Sequence, residues 1–98
     1  MDQIDIRLEE NGNRGRYSAT MPDGSEARLT YSRIGPDHVI ADSTFVPVPF
    51  RGRQVGERMV ERLFADARAG GFRITPVCWF VADEFRRHSP EWDDVLKR

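Results

Sequence analysis

Across Val46-Pro47-Val48-Pro49-Phe50 the hydrophobic period of the chain changes from two to about 3.6 residues, and this switch restricts the fold more than any other feature. Two prolines without N–H groups cannot continue a sheet ladder, so a strand ends there and a helix follows. Before the break, apolar and polar residues alternate. Ile4, Ile6 and Leu8 alternate with Asp5, Arg7 and Glu9, which predicts a first strand over Gln3 to Glu9 with one face buried. Asn11-Gly12-Asn13-Arg14-Gly15 supplies residues that tolerate positive φ. Tyr17, Ala19 and Met21 then mark a second strand that stops at Pro22-Asp23-Gly24. Ala27, Leu29 and Tyr31 share one face of a third strand, Gly35-Pro36-Asp37 breaks it, and His38 to Val46 forms a fourth, rich in β-branched residues. Connections this short predict an antiparallel meander.

After the break, Val55, Met59, Val60, Leu63, Phe64 and Ala67 make one apolar stripe of a helix, with Glu57, Arg58, Glu61, Arg62 and Asp66 facing water. Gly70-Gly71 stops it. Phe72 to Val81 reads as a fifth strand with Phe72, Ile74, Cys78 and Phe80 on one face, so strand, crossover helix and strand make a βαβ unit with parallel fourth and fifth strands. Pro76 lies inside that last strand and, with Pro47 and Pro49, predicts incomplete pairing to the fourth. Asp83 to His88 reads as a short helix, and Ser89-Pro90-Glu91 as an N-cap, a first-turn proline and an early acid opening a last turn through Val95. The expected class is α/β (α+β): a four-strand antiparallel meander, a βαβ crossover with splayed parallel strands, and a short helical tail.

Composition sets the outer limits. Ninety-eight residues suffice for one domain, 1–98, with one core. A chain this short buries roughly 60 to 68% of its unfolded surface, so an open groove is expected in place of a deep cavity. Fifteen basic against 16 acidic residues leave a net charge of -1, which removes the whole-domain electrostatic case for nucleic acid. No apolar run approaches the ~20 residues of a membrane span, and Met1 to Glu10 has neither a basic nor an apolar leader region. A cytoplasmic location with no membrane partner is expected. The single cysteine, Cys78, permits no internal disulfide and no zinc knuckle, so no metal is expected.

Chemistry concentrates in Pro49-Phe50-Arg51-Gly52-Arg53-Gln54-Val55-Gly56-Glu57, a glycine-bearing turn from a strand into a helix. Such a junction aims unpaired N–H groups and the positive end of a helix dipole at one spot, as a pyrophosphate requires, and Arg51 and Arg53 add charge. The competing interpretation is a plain strand-to-helix turn with solvated arginines. A Walker loop is excluded by the missing G-K-[ST] ending, and a dinucleotide fingerprint by the glycine spacing.

Arg51-Gly52-Arg53-Gln54-Val55-Gly56 resembles the acyl-coenzyme A (acyl-CoA) binding motif of the GNAT N-acetyltransferases, [QR]-x-x-G-x-[GA]. Ser43-Thr44-Phe45-Val46-Pro47, Pro76-Val77-Cys78-Trp79-Phe80-Val81 and Arg86-Arg87-His88-Ser89-Pro90-Glu91-Trp92 look like the minimal single-domain, YjdJ-type branch of that superfamily. The resemblance covers nearly the whole chain. It implies that strands four and five part and that the pantetheine arm of acetyl-CoA lies in the gap. The backbone of Phe45 and Val46 would hold that arm, and N–H groups from Arg51, Gly52, Arg53, Gln54, Val55 and Gly56 the pyrophosphate. Backbone donors near the gap would stabilise an oxyanion. Cys78, on strand five beside the acetyl group, is the implied catalytic residue, either as a thiolate that carries the acetyl group or as a thiol that protonates the leaving sulfur. Its other interpretation is a small buried hydrophobe.

The implied activity moves an acetyl group from acetyl-CoA to a primary amine of an unidentified acceptor. The rivals are a CoA-binding or regulatory module without transfer, and a small protein-interaction domain whose arginine turn meets an acidic partner. Gln54 stands where the motif prefers glycine. Ser43 and Phe45 stand where the minimal branch commonly carries histidine and glutamate, and Phe85 where many members use a tyrosine acid. His88, Arg86 and Arg87 read either as ligands for the nucleotide end or as a solvated helix end. His38 reads as solvent-facing, and Trp79 and Trp92 as completing the core or an interface. The Asn11 to Gly15 loop has no space for the helical region that walls the acceptor site in larger members. An open acceptor site, or one completed by a partner or second copy, is therefore expected, in a monomer or weak homodimer.

Overall fold

The computed structural model describes residues 4–97. Strands β1 (Ile6–Asn11), β2 (Arg14–Thr20), β3 (Glu26–Gly35) and β4 (His38–Phe45) are followed by helix α1 (Val55–Gly70), strand β5 (Arg73–Pro76) and helix α2 (Trp79–Arg87). Single 3-10 turns lie at Val48–Phe50 and Asp93–Val95. The five strands form one sheet in chain order, antiparallel from β1 to β4 and parallel between β4 and β5. The meander and the parallel crossover are as the alternation predicts. Among the described residues no helix is long and apolar enough to cross a membrane.

The core forms where the period-two face of the sheet meets the stripe of α1. Tyr17, Ala19, Leu29, Tyr31, Val39 and Ala41 are buried with Val55, Met59, Val60, Leu63 and Ala67, and each larger aliphatic side chain contributes about 1.5 to 3 kcal/mol by leaving water. Helix α1 ends at Gly71, whose φ of 72° is the left-handed conformation that a helix stop requires. The β1–β2 connection is tighter than the expected Asn11 to Gly15 loop. Pairing runs to Asn11 opposite Arg14, leaving the two-residue turn Gly12-Asn13. The two core phenols reach out of the apolar layer to carboxylates: Tyr17 Oη donates to Asp66 at 2.7 Å and Tyr31 Oη to Glu10 at 2.6 Å. Burial, reinforced by the bonded Glu10, pushes the Tyr31 phenol up to about 12.

The C-terminal third departs from the expectation. Strand five spans Arg73–Pro76 in place of Phe72 to Val81, and the helix expected at Asp83 begins at Trp79. Pro76 cannot donate to a ladder, and Val77 N–H turns back to Thr75 O at 3.1 Å, so the chain leaves the sheet. Val81 and Phe85, one helical turn apart, then bury the inner face of α2. Ser89 and Pro90 do not open the last turn. It starts at Asp93, and Ser89 Oγ meets the Asp93 carboxylate at 3.2 Å, not a backbone N–H.

Glu84 is the buried carboxylate of α2. Its nearest basic side chains are Arg87 at 3.8 Å and His88 at 3.9 Å, and burial together with Glu57 raises its pKa. A raised carboxyl pKa means that the unfolded chain ionises first. The contribution of protonated Glu84 is therefore full below its ordinary value of 4.5 and is lost as pH climbs through the folded value. Glu84→Gln is expected to raise the melting temperature at neutral pH and to give no gain at about pH 4. Thermal melts at both pH values check this, and a loss at neutral pH would show that the basic neighbours outweigh the burial.

Candidate functional site

Strand β4 has partners on both sides only as far as Ala41. The last link to the β5 side is Cys78 N–H to Ala41 O at 3.0 Å, whereas Ser43 to Phe45 remain paired to β3 alone. The strands thus part where the prolines predict. At the same place β4 carries an extra residue, Asp42, between the Ala41–Tyr31 and Ser43–Thr30 pairs, and Ser32 Oγ holds its carboxylate at 2.7 Å. Such a bulge bends the strand and ends regular pairing.

An open groove of about 360 Å³ fills the gap. The end of β4 gives it Thr44, Phe45 and Val46, and the connecting turn gives Phe50, Arg51 and Gly52. The first residues of α1 give Val55, Gly56 and Glu57, and the start of α2 gives Cys78, Trp79 and Phe80. Both helices therefore begin on this groove. The first bond inside α1 runs from Arg58 N–H to Gln54 O at 3.1 Å, and the first inside α2 from Ala82 N–H to Cys78 O at 3.0 Å. Neither helix has a side-chain cap, so their first-turn N–H groups are left for a ligand or water. Two positive dipole ends on one groove favour an anion or an oxygen that gains charge during reaction.

Close packing fixes the two helix starts relative to each other. A Cβ on Gly56 would stand 2.8 Å from the Phe80 ring, so only glycine lets Phe80 lie against α1. Gln54, the N-cap of α1, has φ 65°. The left-handed conformation costs a non-glycine residue about 1 to 2 kcal/mol, less the extra freedom glycine has when unfolded. Gln54→Gly is therefore expected to stabilise the protein by up to about 1 kcal/mol, which a denaturant midpoint measures.

The sequence-selected residues Phe45, Val46, Arg51, Gly52, Val55, Gly56 and Cys78 come together in the groove. The side chains of Arg53 and Gln54 do not. The Arg53 guanidinium lies over the Phe50 ring at 5.8 Å, and Gln54 lines a separate charged cleft between α1 and α2. Cys78 is the N-cap of α2 and not a strand residue; it is half-buried, with Sγ 3.5 Å from Thr44 Oγ1.

Thr44, Phe50, Glu57, Trp79 and Phe80 also line the groove; Phe50 and Glu57 fall in the stretch where the sequence concentrates its chemistry, but none of the five is among the residues the sequence assigns to the site. The helical pattern puts Glu57 on the wet face, and the strand spacing of 72–81 takes in Trp79 and Phe80. The helical spacing of Val81 and Phe85 was the available signal. Trp79 is 76% exposed and completes no core, whereas Trp92 is buried between Phe64 and His88 in parallel stacks at 4.3 and 3.9 Å. His88 Nδ1 also lies 2.9 Å from Glu84 O, and Arg86 and Arg87 pair with Asp83. His38 does not simply face solvent, since its Nε2 is 2.6 Å from Thr75 Oγ1 on β5.

The family model of the GCN5-related N-acetyl-transferases matches residues 16–95. The chain belongs to this family. The segment matched to the GCN5-related N-acetyltransferases contains every groove residue. The fold is similar to the solution NMR structure of a GCN5-like protein from Staphylococcus aureus, with a TM-score of 0.67 at 20% identity over 99% of this chain and 91% of that chain. No curated protein matches the chain. Among the described residues of this N-acetyltransferase-family chain, no three His, Cys, Asp or Glu side chains gather as a metal site.

Proposed function

We propose that this GCN5-related chain binds acetyl-CoA in the groove and transfers the acetyl group to a primary amine. The observation that carries the proposal is the meeting of a one-sided strand end with two uncapped helix starts in one groove. The unpaired edge of β4 suits the amides of a pantetheine arm, with Phe45 and Val46 as its backbone contacts. The N-terminus of α1 suits a pyrophosphate, with N–H groups from Arg51 to Gly56 as donors. In this assignment Arg53 and Gln54 act through their backbone, since their side chains lie elsewhere.

Cys78 is assigned the chemical step because its sulfur lies beside Thr44 at the start of α2. The Cys78 thiol gives its proton to water as its sulfur attacks the thioester carbon, and first-turn N–H groups of α2 stabilise the resulting oxyanion. The bond to the CoA sulfur breaks, and that sulfur leaves with the electron pair and takes up the proton that water received. The neutral amine then attacks the acetyl-cysteine, the new C–N bond forms, and the cysteine sulfur leaves with its pair and regains a proton as the surplus amine proton passes to it through water. The two-residue Gly12-Asn13 turn builds no wall over the sheet, so the acceptor approaches an open site.

Titration with acetyl-CoA and with CoA, followed by amide shifts, tests the cofactor part. Micromolar binding is expected, with localised shifts that include Phe45, Val46 and Arg51 to Gly56. An absence of binding at millimolar ligand sinks the proposal and leaves a protein-interaction domain. A second reading, a CoA-binding module without transfer, is favoured by Ser43 and Phe45, which offer no base where the end of β4 meets the groove. Binding without turnover across a panel of amines would select it.

A further inference from the structure

Both helices cover one face of the sheet, and among the described residues no helix packs on the other. Alternation puts Arg7, Ser18, Arg28 and Phe45 on this second face, and the pairing registers set them side by side in one row across β1 to β4. Ser18 is 1% exposed beneath its neighbours, yet among the described residues its hydroxyl has no hydrogen-bond partner. A buried unbonded hydroxyl is a standing cost to the fold, and here it lies between two guanidinium-bearing residues. Glu26 is taken by Arg7 at 3.6 Å and Glu9 by Arg16 at 3.0 Å. Arg14 and Arg28 of the same face form no ion pair among the described residues, and the Arg28 guanidinium lies over the Phe45 ring at 4.7 Å. Strands β1 to β3 thus present an excess of positive charge on a chain whose net charge is -1. Phe45 belongs both to this row and to the wall of the groove, so the row leads to the place of transfer.

We infer that the helix-free face of the sheet docks the acceptor, and that the acceptor is an acidic peptide segment with carboxylates close to its reactive amine. The inference rests on the proposed transfer for the amine and on the sheet alone for the docking. A carboxylate between Arg7 and Arg28 lies over Ser18 and accepts its O–H together with guanidinium N–H groups, which supplies the partner the hydroxyl lacks. Strands stand about 4.8 Å apart, so the row from Arg7 to Phe45 is roughly 14 Å long, and an extended peptide at about 3.3 Å per residue crosses it in about four residues. The carboxylates are therefore expected within about five residues of the amine. A row spread over four strands suits a peptide better than a small acid. Glu9 and Glu26 interrupt the positive charge, which suits separated carboxylates better than a continuous phosphate chain.

Two peptides test this, one with a single lysine set among glutamates and one with glutamines in their place, each titrated into wild type, Arg28→Gln and Ser18→Ala and followed by amide shifts. The acidic peptide is expected to shift Arg7, Ser18 and Arg28 and to bind at least about tenfold more tightly than its glutamine counterpart, by a margin that shrinks as salt is added. Arg28→Gln should weaken the acidic peptide about three- to tenfold and leave the other unchanged. Ser18→Ala should raise the melting temperature, because the unbonded hydroxyl is gone, while weakening the acidic peptide about threefold. A purely structural hydroxyl moves the melt alone. In the transfer assay Arg28→Gln should raise KM for the acidic peptide with kcat unchanged. Equal binding of the two peptides, no binding at millimolar concentration, or affinity unchanged in both variants overturns the inference. So do shifts confined to the Arg51 to Gly56 turn, or tighter binding of a single-stranded oligonucleotide of equal length. An acidic peptide that binds this face of a chain that does not bind acetyl-CoA strikes the transferase reading and upholds the docking surface.

Discussion

Gly15→Ala is expected to lower the melting temperature by about 10 to 20 °C, corresponding to a loss of about 2 to 3 kcal/mol in a domain of this size. The backbone at Gly15 is not left-handed, so the cost is steric. An added Cβ would stand 2.1 Å from Tyr31 Cζ and 2.4 Å from its hydroxyl oxygen, across the β2–β3 pair in which these residues face each other. A free ring would swing aside, but Tyr31 is held at three points. Only 2% of it is exposed, its ring centre lies 5.9 Å from that of Tyr17, and its hydroxyl donates to Glu10 on β1. Moving the ring breaks that hydrogen bond and disturbs the core over α1; leaving it in place forces β2 away from β3. Gly35→Ala is the control, since only Asp37 Oδ1, at 3.9 Å, comes near its Cβ, and a change within about 2 °C is expected there. Equal melting temperatures for the two variants would show that the Tyr31 ring moves out freely.

The elements legible from sequence are those whose burial is one-sided. Leu29 and Tyr31 reveal a strand because Arg28, Thr30 and Ser32 between and beside them are polar and at least partly exposed. Tyr17 and Ala19 do so although Ser18 between them is buried, and Val55 to Ala67 reveal α1 because the stripe continues along the helix. Residues 72 to 81 defeated the same method. Phe72, Ile74, Cys78 and Phe80 keep strand spacing, yet the first two belong to the core beside β5 and the last two to the mouth of a groove. Their even numbering is a coincidence of two environments. Pro76 carried the true signal, which correctly marked where pairing is lost but not that a helix starts there.

The site divides along the same line. Arg51 to Gly56 are consecutive, so their shared location was readable from a local motif. The Thr44–Cys78 contact joins residues 34 apart, and the fit of Phe80 on Gly56 depends on how two helices meet, so neither was. The positive φ of Gln54 explains why the motif prefers glycine at that position: the turn that starts α1 requires a left-handed residue, whichever side chain it carries.

Removing the sulfur is the sharpest test of chemistry in the groove. Cys78→Ala is expected to reduce acetyl transfer about 10²- to 10⁴-fold while changing acetyl-CoA affinity by less than about threefold. The two effects separate because the structural work of this residue is done by its backbone. Its N–H closes the sheet on Ala41 O and its C=O accepts the first bond of α2, and alanine preserves both. The thiol caps no N–H of the helix, and its one polar contact among the described residues is the hydroxyl of Thr44 at 3.5 Å. Mass analysis after incubation with acetyl-CoA alone then distinguishes the two roles open to the sulfur. An acetyl group recovered on Cys78 of wild type establishes the covalent route. Transfer that depends on Cys78 without any such adduct assigns the thiol to protonating the leaving CoA sulfur. Transfer unchanged in Cys78→Ala removes the cysteine from the mechanism and leaves catalysis to the two helix starts that frame the groove, whereas a loss of affinity equal to the loss of transfer makes Cys78 part of the binding wall alone.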